Sequence, residues 1–393
     1  MTQKEKPIRE PLFHIIKRDE VTWKYAIGAR AIAIAAAFVV SGLLTIFLTG
    51  DNPFSVISSL FVGAFGRGRI WPTVYETAIL LCVSLAVTPA FRMRFWNTGA
   101  EGQTLIGGLA TAVVMFLFHD RVPVAILVIM MFSAAILFGA LWGVIPAVFK
   151  AKWRTNETLF TLMMNYVAIQ VILYAIKIWA PSGSGTLSPS PYANLPQIGG
   201  DNFWLSIIVA FVMTAFMFIY LKFTKHGYEI EVVGESENTA RYIGINVKKV
   251  IIRTLILSGL ICGVVGFLLV AGINHTVSST TAGGRGFTAI LVSWLAKFNP
   301  LYMILTSLLV VFLAKGTDEV MTMSGVTNSF FSQVVTGIVF LMIIGCEFFI
   351  NYKIVFRHRA TAETPPPALE EAEKSVDEEL PASEAPQATA KEE

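Results

Sequence analysis

The sequence predicts an all-α, polytopic membrane protein of about ten transmembrane helices, some of them short and broken. Three observations carry that expectation. Of 393 residues, 54% are hydrophobic and only 15% charged, and the mean hydropathy is +0.64, outside the range of a soluble domain. Apolar runs of spanning length recur between Ala26 and Ile350. Lys and Arg gather on alternate loops, as the positive-inside rule demands.

Residues 1–25 are polar and basic and read as a cytoplasmic N-terminal segment. The run 26–48 is too long for a signal-peptide core and has no small-residue cleavage site after it, so it is read as the first span. Residues 53–66 are apolar but short and are expected at the interface. Further spans fall at 72–91, 99–118, 122–146, 156–180, 203–221 and 250–272. Lys297, Asn299 and Pro300 interrupt the next stretch, which therefore reads as two short helices, 286–297 and 300–315. The last span is 329–350, which closes a membrane domain over 26–350. Residues 360–393 carry ten acidic and two basic residues and few large apolar ones, so 351–393 reads as a disordered acidic cytoplasmic tail.

Charge fixes the orientation. With the N-terminus inside, and leaving aside Arg30 and the distal tail residues Lys374 and Lys391, 21 Lys and Arg lie in cytoplasmic segments. Six lie outside: Arg67, Arg69, Arg121, Lys177, Arg285 and Lys315. Both termini are then cytoplasmic. The loop 181–202, rich in Pro, Ser and Gly, is the longest on the outer side. Cys82, Cys262 and Cys346 all fall in apolar runs and read as buried thiols, with neither a disulfide nor a metal site implied.

The polar loop 222–250 interrupts this lipid-soluble chain on the cytoplasmic side. Ala240, Ile243 and Gly244 share a helical face there, with Glu237 and Arg241 beside it. That pattern fits a short helix docking onto something outside the membrane.

Three motifs open helices with polar, Gly-rich or capped starts. In FWNTGAEGQ (95–103), Thr98 and Glu101 have capping-box spacing, while Asn97, Glu101 and Gln103 also suit a solute path. In WRTNETLFTLMMNYVAIQ (153–170), Asn156 can cap the helix and Glu157 favours its positive end. Asn165 lies deeper and must bond between helices or face water. In GGRGFTAILVSWLAKFNP (283–300), a broken helix start carries Phe287, Ser293 and Trp294, as path lining or as packing. Glu76 follows Thr73 at capping-box spacing, which suffices to explain it.

Other chemistry is excluded. The chain has no Walker A sequence and no clear mid-membrane acid for an ion couple. The G-x-G-x-x-A pattern at 284–289 has neither the preceding strand nor the acidic residue about 20 positions on that a dinucleotide fingerprint needs, so no cofactor is expected. Its histidines, at 14, 119, 226, 275 and 358, lie in termini or loops, which argues against a membrane-embedded enzyme. A self-sufficient secondary transporter or channel remains a rival.

Over about residues 72–350 the chain resembles the membrane permease subunits of bacterial ABC importers. The resemblance is to the branched-chain amino acid/ribose permease superfamily, nearest its nucleoside and simple-sugar branch. It rests on FWNTGAEGQ (95–103), the run 139–166, GYEIEVVGESENTARYIGINVKKV (227–250), LSGLICGVVG (257–266) and GRGFTAILVSWLAKFNPL (284–301). Typical members read Asn-Ile-Gly where this chain has Asn97-Thr98-Gly99.

The resemblance implies a permease that supplies the path for nucleosides, or for simple sugars. ATP would be bound and hydrolysed on separate cytoplasmic ATPase subunits. A second permease, homologous or identical, and an extracellular or periplasmic binding protein would complete the importer. No nucleic acid is implied. The loop would couple to the ATPase through Gly234, Glu237, Ala240, Arg241, Gly244 and Ile245.

An internal match predicts two five-helix halves of inverted topology. FWNTGAEGQTLIGG opens the third span and GGRGFTAILVSW the eighth. Each is followed by a helix pair with a polar hinge, KAKWRTNETL at 150–159 and KGTDEVMTMSGVTNS at 315–329. Five spans is an odd number, so one copy is upside down relative to the other.

Overall fold

The computed structural model describes residues 13–18, 53–179, 203–323 and 352–356, Leu195, and scattered positions within 22–47 and 334–350. The expected first and last spans, the outer loop 181–202 and the acidic tail beyond 356 lie wholly or mostly outside the described residues.

The membrane part is helical throughout its described length. In order come α1 (Pro53–Phe65), α2 (Ile70–Arg92), α3 (Ala100–Phe118), α4 (Val124–Trp153), α5 (Glu157–Trp179) and α6 (Trp204–Phe223). Then follow α7 (Lys225–Glu235), α8 (Glu237–Tyr242), α9 (Val247–Phe267), α10 (Arg285–Leu295) and α11 (Pro300–Met323). A π-helical segment, Leu268–Asn274, extends α9. Among the described residues, seven helices are long and apolar enough to cross a bilayer: α2 to α6, extended α9, and α11. The chain is thus a polytopic all-α membrane protein.

The sequence sets the helix ends. Asn156 accepts the Leu159 N–H at 3.1 Å, capping α5 as expected. Thr224 caps α7 and Ser236 caps α8 through their hydroxyls, and Asn246 caps α9 through its side-chain oxygen. Gly244, at φ +85°, ends α8 in the left-handed turn that glycine adopts without strain. Pro300 opens α11, so the break after α10 falls where the sequence places it.

The core is built on α2, α3 and α9. In their most apolar stretches 89%, 72% and 78% of residues are buried, against 28% in α4, α5 and α6, whose apolar faces point outward as lipid requires. Small residues let α4 and α9 touch backbone to backbone: a Cβ on Gly259 would lie 2.3 Å from the Gly139 carbonyl oxygen.

Residues 53–65 form a helix that packs on α11, with Phe65 stacked on Phe312 at 5.5 Å. One expectation changes. The polar stretch from Lys315 does not open a hinge at once, since α11 runs on to Met323. Its charges have partners: Lys315 faces Glu76 at 3.9 Å, and Glu319 is paired with Arg69.

A separate unit joins Met1–Ala26 with Phe348–Glu393. Within it, β1 (Phe13–Lys17) and β2 (Tyr352–Phe356) pair antiparallel, Phe13 opposite Phe356 and Lys17 opposite Tyr352. Nothing in the sequence reading anticipated this ribbon. Five-residue strands leave too short an alternation to stand out beside the helical runs.

Candidate functional site

Two helix starts meet inside the bundle. The Glu101 carboxylate, on the first turn of α3, accepts the Gly284 and Gly286 N–H groups at 2.7 Å each. These are the unpaired donors at the start of α10. The approach is close: a Cβ on Gly286 would lie 2.4 Å from the Glu101 nitrogen, so only glycine fits. Glu101 therefore clamps a distant helix rather than closing a capping box on its own. Thr98, its expected partner, instead donates its hydroxyl to the Thr158 carbonyl at 3.1 Å.

The amides around this start are buried and bonded. Asn165 on α5 accepts the Gly102 N–H at 2.8 Å and donates to the Thr98 carbonyl at 2.9 Å. Asn97 donates to Ser258 on α9 at 3.0 Å, and Ser258 donates to Gln103 at 3.2 Å. In this conformation the three amides join helices, the structural role the sequence left open beside solute contact.

On α10, Ser293 is buried and donates to the Ser84 carbonyl of α2 at 3.0 Å. Phe287 and Trp294, seven residues apart, are partly exposed on another face of the same short helix. Asn156 and Glu157 lie apart at the start of α5, where Glu157 pairs with Lys150 at 2.6 Å. Of nine expected path residues, the structure thus gathers Asn97, Glu101, Gln103 and Asn165 at one junction, and three more along α10.

Glu76 also departs from the capping-box expectation. The helix begins at Ile70, and the Thr73 hydroxyl donates to the Ala64 carbonyl at 2.8 Å. Glu76 instead accepts from Arg285 at 2.5 and 3.2 Å, one residue beyond the Glu101 clamp donor Gly284. Sequence reasoning missed Ser258, Arg285 and Trp96, although all three lie within the quoted motifs.

The loop 222–250 folds as α7 and α8. A Cβ on Gly234 would lie 2.1 Å from the Arg92 carbonyl oxygen, so α7 rests directly on the end of α2. Ala240 is fully buried and faces inward, whereas Tyr242 is 93% exposed and Ile243 half-exposed. Glu237 and Arg241 pair at 2.9 Å on the surface.

Glu229 anchors α7 to Arg253 of α9 at 2.8 Å. Burial alone pushes the Glu229 carboxyl up, but Arg253 and His226 more than offset this and hold it below the usual carboxylate range. A depressed folded-state value contributes stability above the unfolded value, about 4.3, and loses it as pH falls through the folded value. The stability difference between wild type and Glu229→Gln should therefore be present above about pH 5 and shrink as pH falls below about 4. Melting curves across that range check it.

The family described as branched-chain amino acid transport system / permease component matches residues 70–344. Among similar proteins, the glucose ABC transporter permease protein TsgB13 of Haloferax volcanii is 28% identical over 86% of this chain and 92% of its own length. The guanosine ABC transporter permease protein NupP of Bacillus subtilis is 28% identical over 76% and 88%. The nucleoside ABC transporter permease protein NupB of Lactococcus lactis is 25% identical over 79% and 89%. With seven helices of spanning length among the described residues and this match over residues 70–344, the chain belongs to the permease components of the branched-chain amino acid transport system family.

Proposed function

We propose that this chain forms the translocation path for nucleosides in an ATP-driven importer of a bacterial cell membrane, with both termini cytoplasmic. The observation that carries the reading is the junction at Glu101, where α3 and α10 both begin. Helix starts that meet inside a bundle, with an aromatic face beside them, suit a polar solute bearing a flat base. ATP would be used on separate ATPase subunits, a second permease would complete the path, and an outer binding protein would deliver the solute.

Packing supports two inverted five-helix halves. α3 lies along α9, with Gln103 near Ser258 and Gly107 near Gly263. α10 lies along α2, with Arg285 at Glu76 and Ser293 at Ser84. A two-fold axis in the membrane plane that exchanges α2 with α9 and α3 with α10 converts one contact into the other.

The test is reconstitution with the ATPase and binding protein, then ATP-dependent uptake of a nucleoside and a hexose panel. Nucleoside uptake that stops without ATP is expected. Hexose uptake alone would establish the second reading, a simple-sugar permease, which the glucose permease relative favours. Uptake independent of ATP would establish a secondary transporter.

In the same system Tyr242→Ala should lower uptake at least tenfold while the permease melts as wild type. The side chain is 93% exposed at the end of α8, which supports reading it as the residue that would enter an ATPase cleft. Unchanged uptake would remove Tyr242 from the dock.

A further inference from the structure

Four aromatic rings close a circuit between α2, the start of α3 and the end of α10. Phe91 meets Trp96 at 5.6 Å, Trp96 meets Trp294 at 5.7 Å, Trp294 meets Phe298 at 5.6 Å, and Phe298 returns to Phe91 at 6.3 Å. Phe91 is buried and forms the floor, while Trp96 and Trp294 are 45% and 49% exposed and form the lip. The rings line a cleft of about 500 Å³ whose opposite wall is α7, which contributes Glu231 and Glu235. That size is within the range of small-molecule sites.

The turns that present the rings are under strain. Arg94, two residues before Trp96, has φ +58°, and Lys297 and Phe298 have φ +51° and +57°. Side-chain-bearing residues adopt this region at a cost, and such outliers concentrate at ligand clamps and switches. Both strained turns flank this one cleft.

We propose that the box is a stacking subsite for a planar heteroaromatic ring on its way out of the path, with α7 as its movable wall. The inference rests on the nucleoside reading above. Flat rings stack on tryptophan whatever their exact substituents. The α7 carboxylates offer acceptors to ring N–H groups, which a saturated sugar does not present in the same plane. Because Gly234 of α7 sits against the Arg92 carbonyl beside Phe91, a shift of the coupling helix must reshape the cleft.

The test uses the reconstituted importer with Trp96 and Trp294 each changed to Phe and to Leu. Phe keeps a π-face, and Leu keeps apolar packing without one. Leu variants should lose at least tenfold in nucleoside uptake, Phe variants no more than about threefold, and ATPase turnover should persist in both. Leu variants that transport like Phe variants would overturn the subsite and leave the nucleoside reading standing, as would equal losses in both. A wild type that moves no nucleoside would overturn both.

Discussion

Glu101→Ala is expected to abolish uptake and lower the melting temperature of the purified permease. Both carboxylate oxygens accept a backbone N–H at 2.7 Å from the start of α10, and the side chain is buried. Alanine leaves two donors without partners, at about 1–3 kcal/mol each. Glu101→Gln retains one acceptor but turns an amide N–H towards the second donor, so it should fall between wild type and alanine. Glu101→Asp is one methylene shorter and cannot span both donors without moving α3. Uptake and thermal melts of the three variants give the order. Wild-type behaviour in Gln and Asp alike would show that the clamp is dispensable.

Gly259→Val should prevent assembly rather than slow transport. Its Cβ would lie 2.3 Å from the Gly139 carbonyl oxygen and 2.8 Å from the Ala140 Cα, both backbone atoms that cannot rotate away. Overpacking typically costs about 1–3 kcal/mol, and here the contact is between two helix backbones in the most closely packed pair. Gly272→Ala in the extension of the same helix is the control. Its nearest neighbour, a Leu195 methyl, would be 3.7 Å away, an ordinary contact. Size-exclusion profiles should show an aggregated or absent Gly259→Val protein beside a normal Gly272→Ala protein. Equal profiles would contradict the packing.

Much of this architecture was legible in the chain. The long spans follow from apolar length, and the broken helix before Pro300 follows from Asn299 and proline chemistry. Asn156 and Ser236 cap where their residue types suggest. What the sequence could not show is who bonds to whom. Glu101 and Thr98 have perfect capping spacing, yet each serves a group far along the chain, Glu101 at Gly284 and Gly286 and Thr98 at Thr158. Spacing describes a local helix start and carries no information about a backbone donor that arrives from elsewhere. Ala240 illustrates the same limit. Its helical face was clear, but which side of that face packs inward depends on α9, so Tyr242 rather than Ala240 is the outward residue. Of the nine expected path residues, Asn97, Glu101, Gln103, Asn165 and Ser293 are engaged in holding helices together.

The β1–β2 ribbon has a topological consequence. Strands that share backbone hydrogen bonds occupy the same compartment, so the chain between Lys17 and Tyr352 must cross the bilayer an even number of times. The seven long helices among the described residues, with the spans expected from sequence at 26–48 and 329–350, would give nine crossings, an odd number. An even count follows if the short helix α10 supplies one more crossing. Its 11 residues reach only about 16 Å, roughly half the hydrocarbon thickness. The segment 275–284 must then carry the chain through the other half as non-helical backbone, which a bilayer tolerates only where protein shields it. On that count the ribbon at the two ends of the chain calls for an irregular stretch at membrane depth just ahead of the two N–H groups that Glu101 accepts.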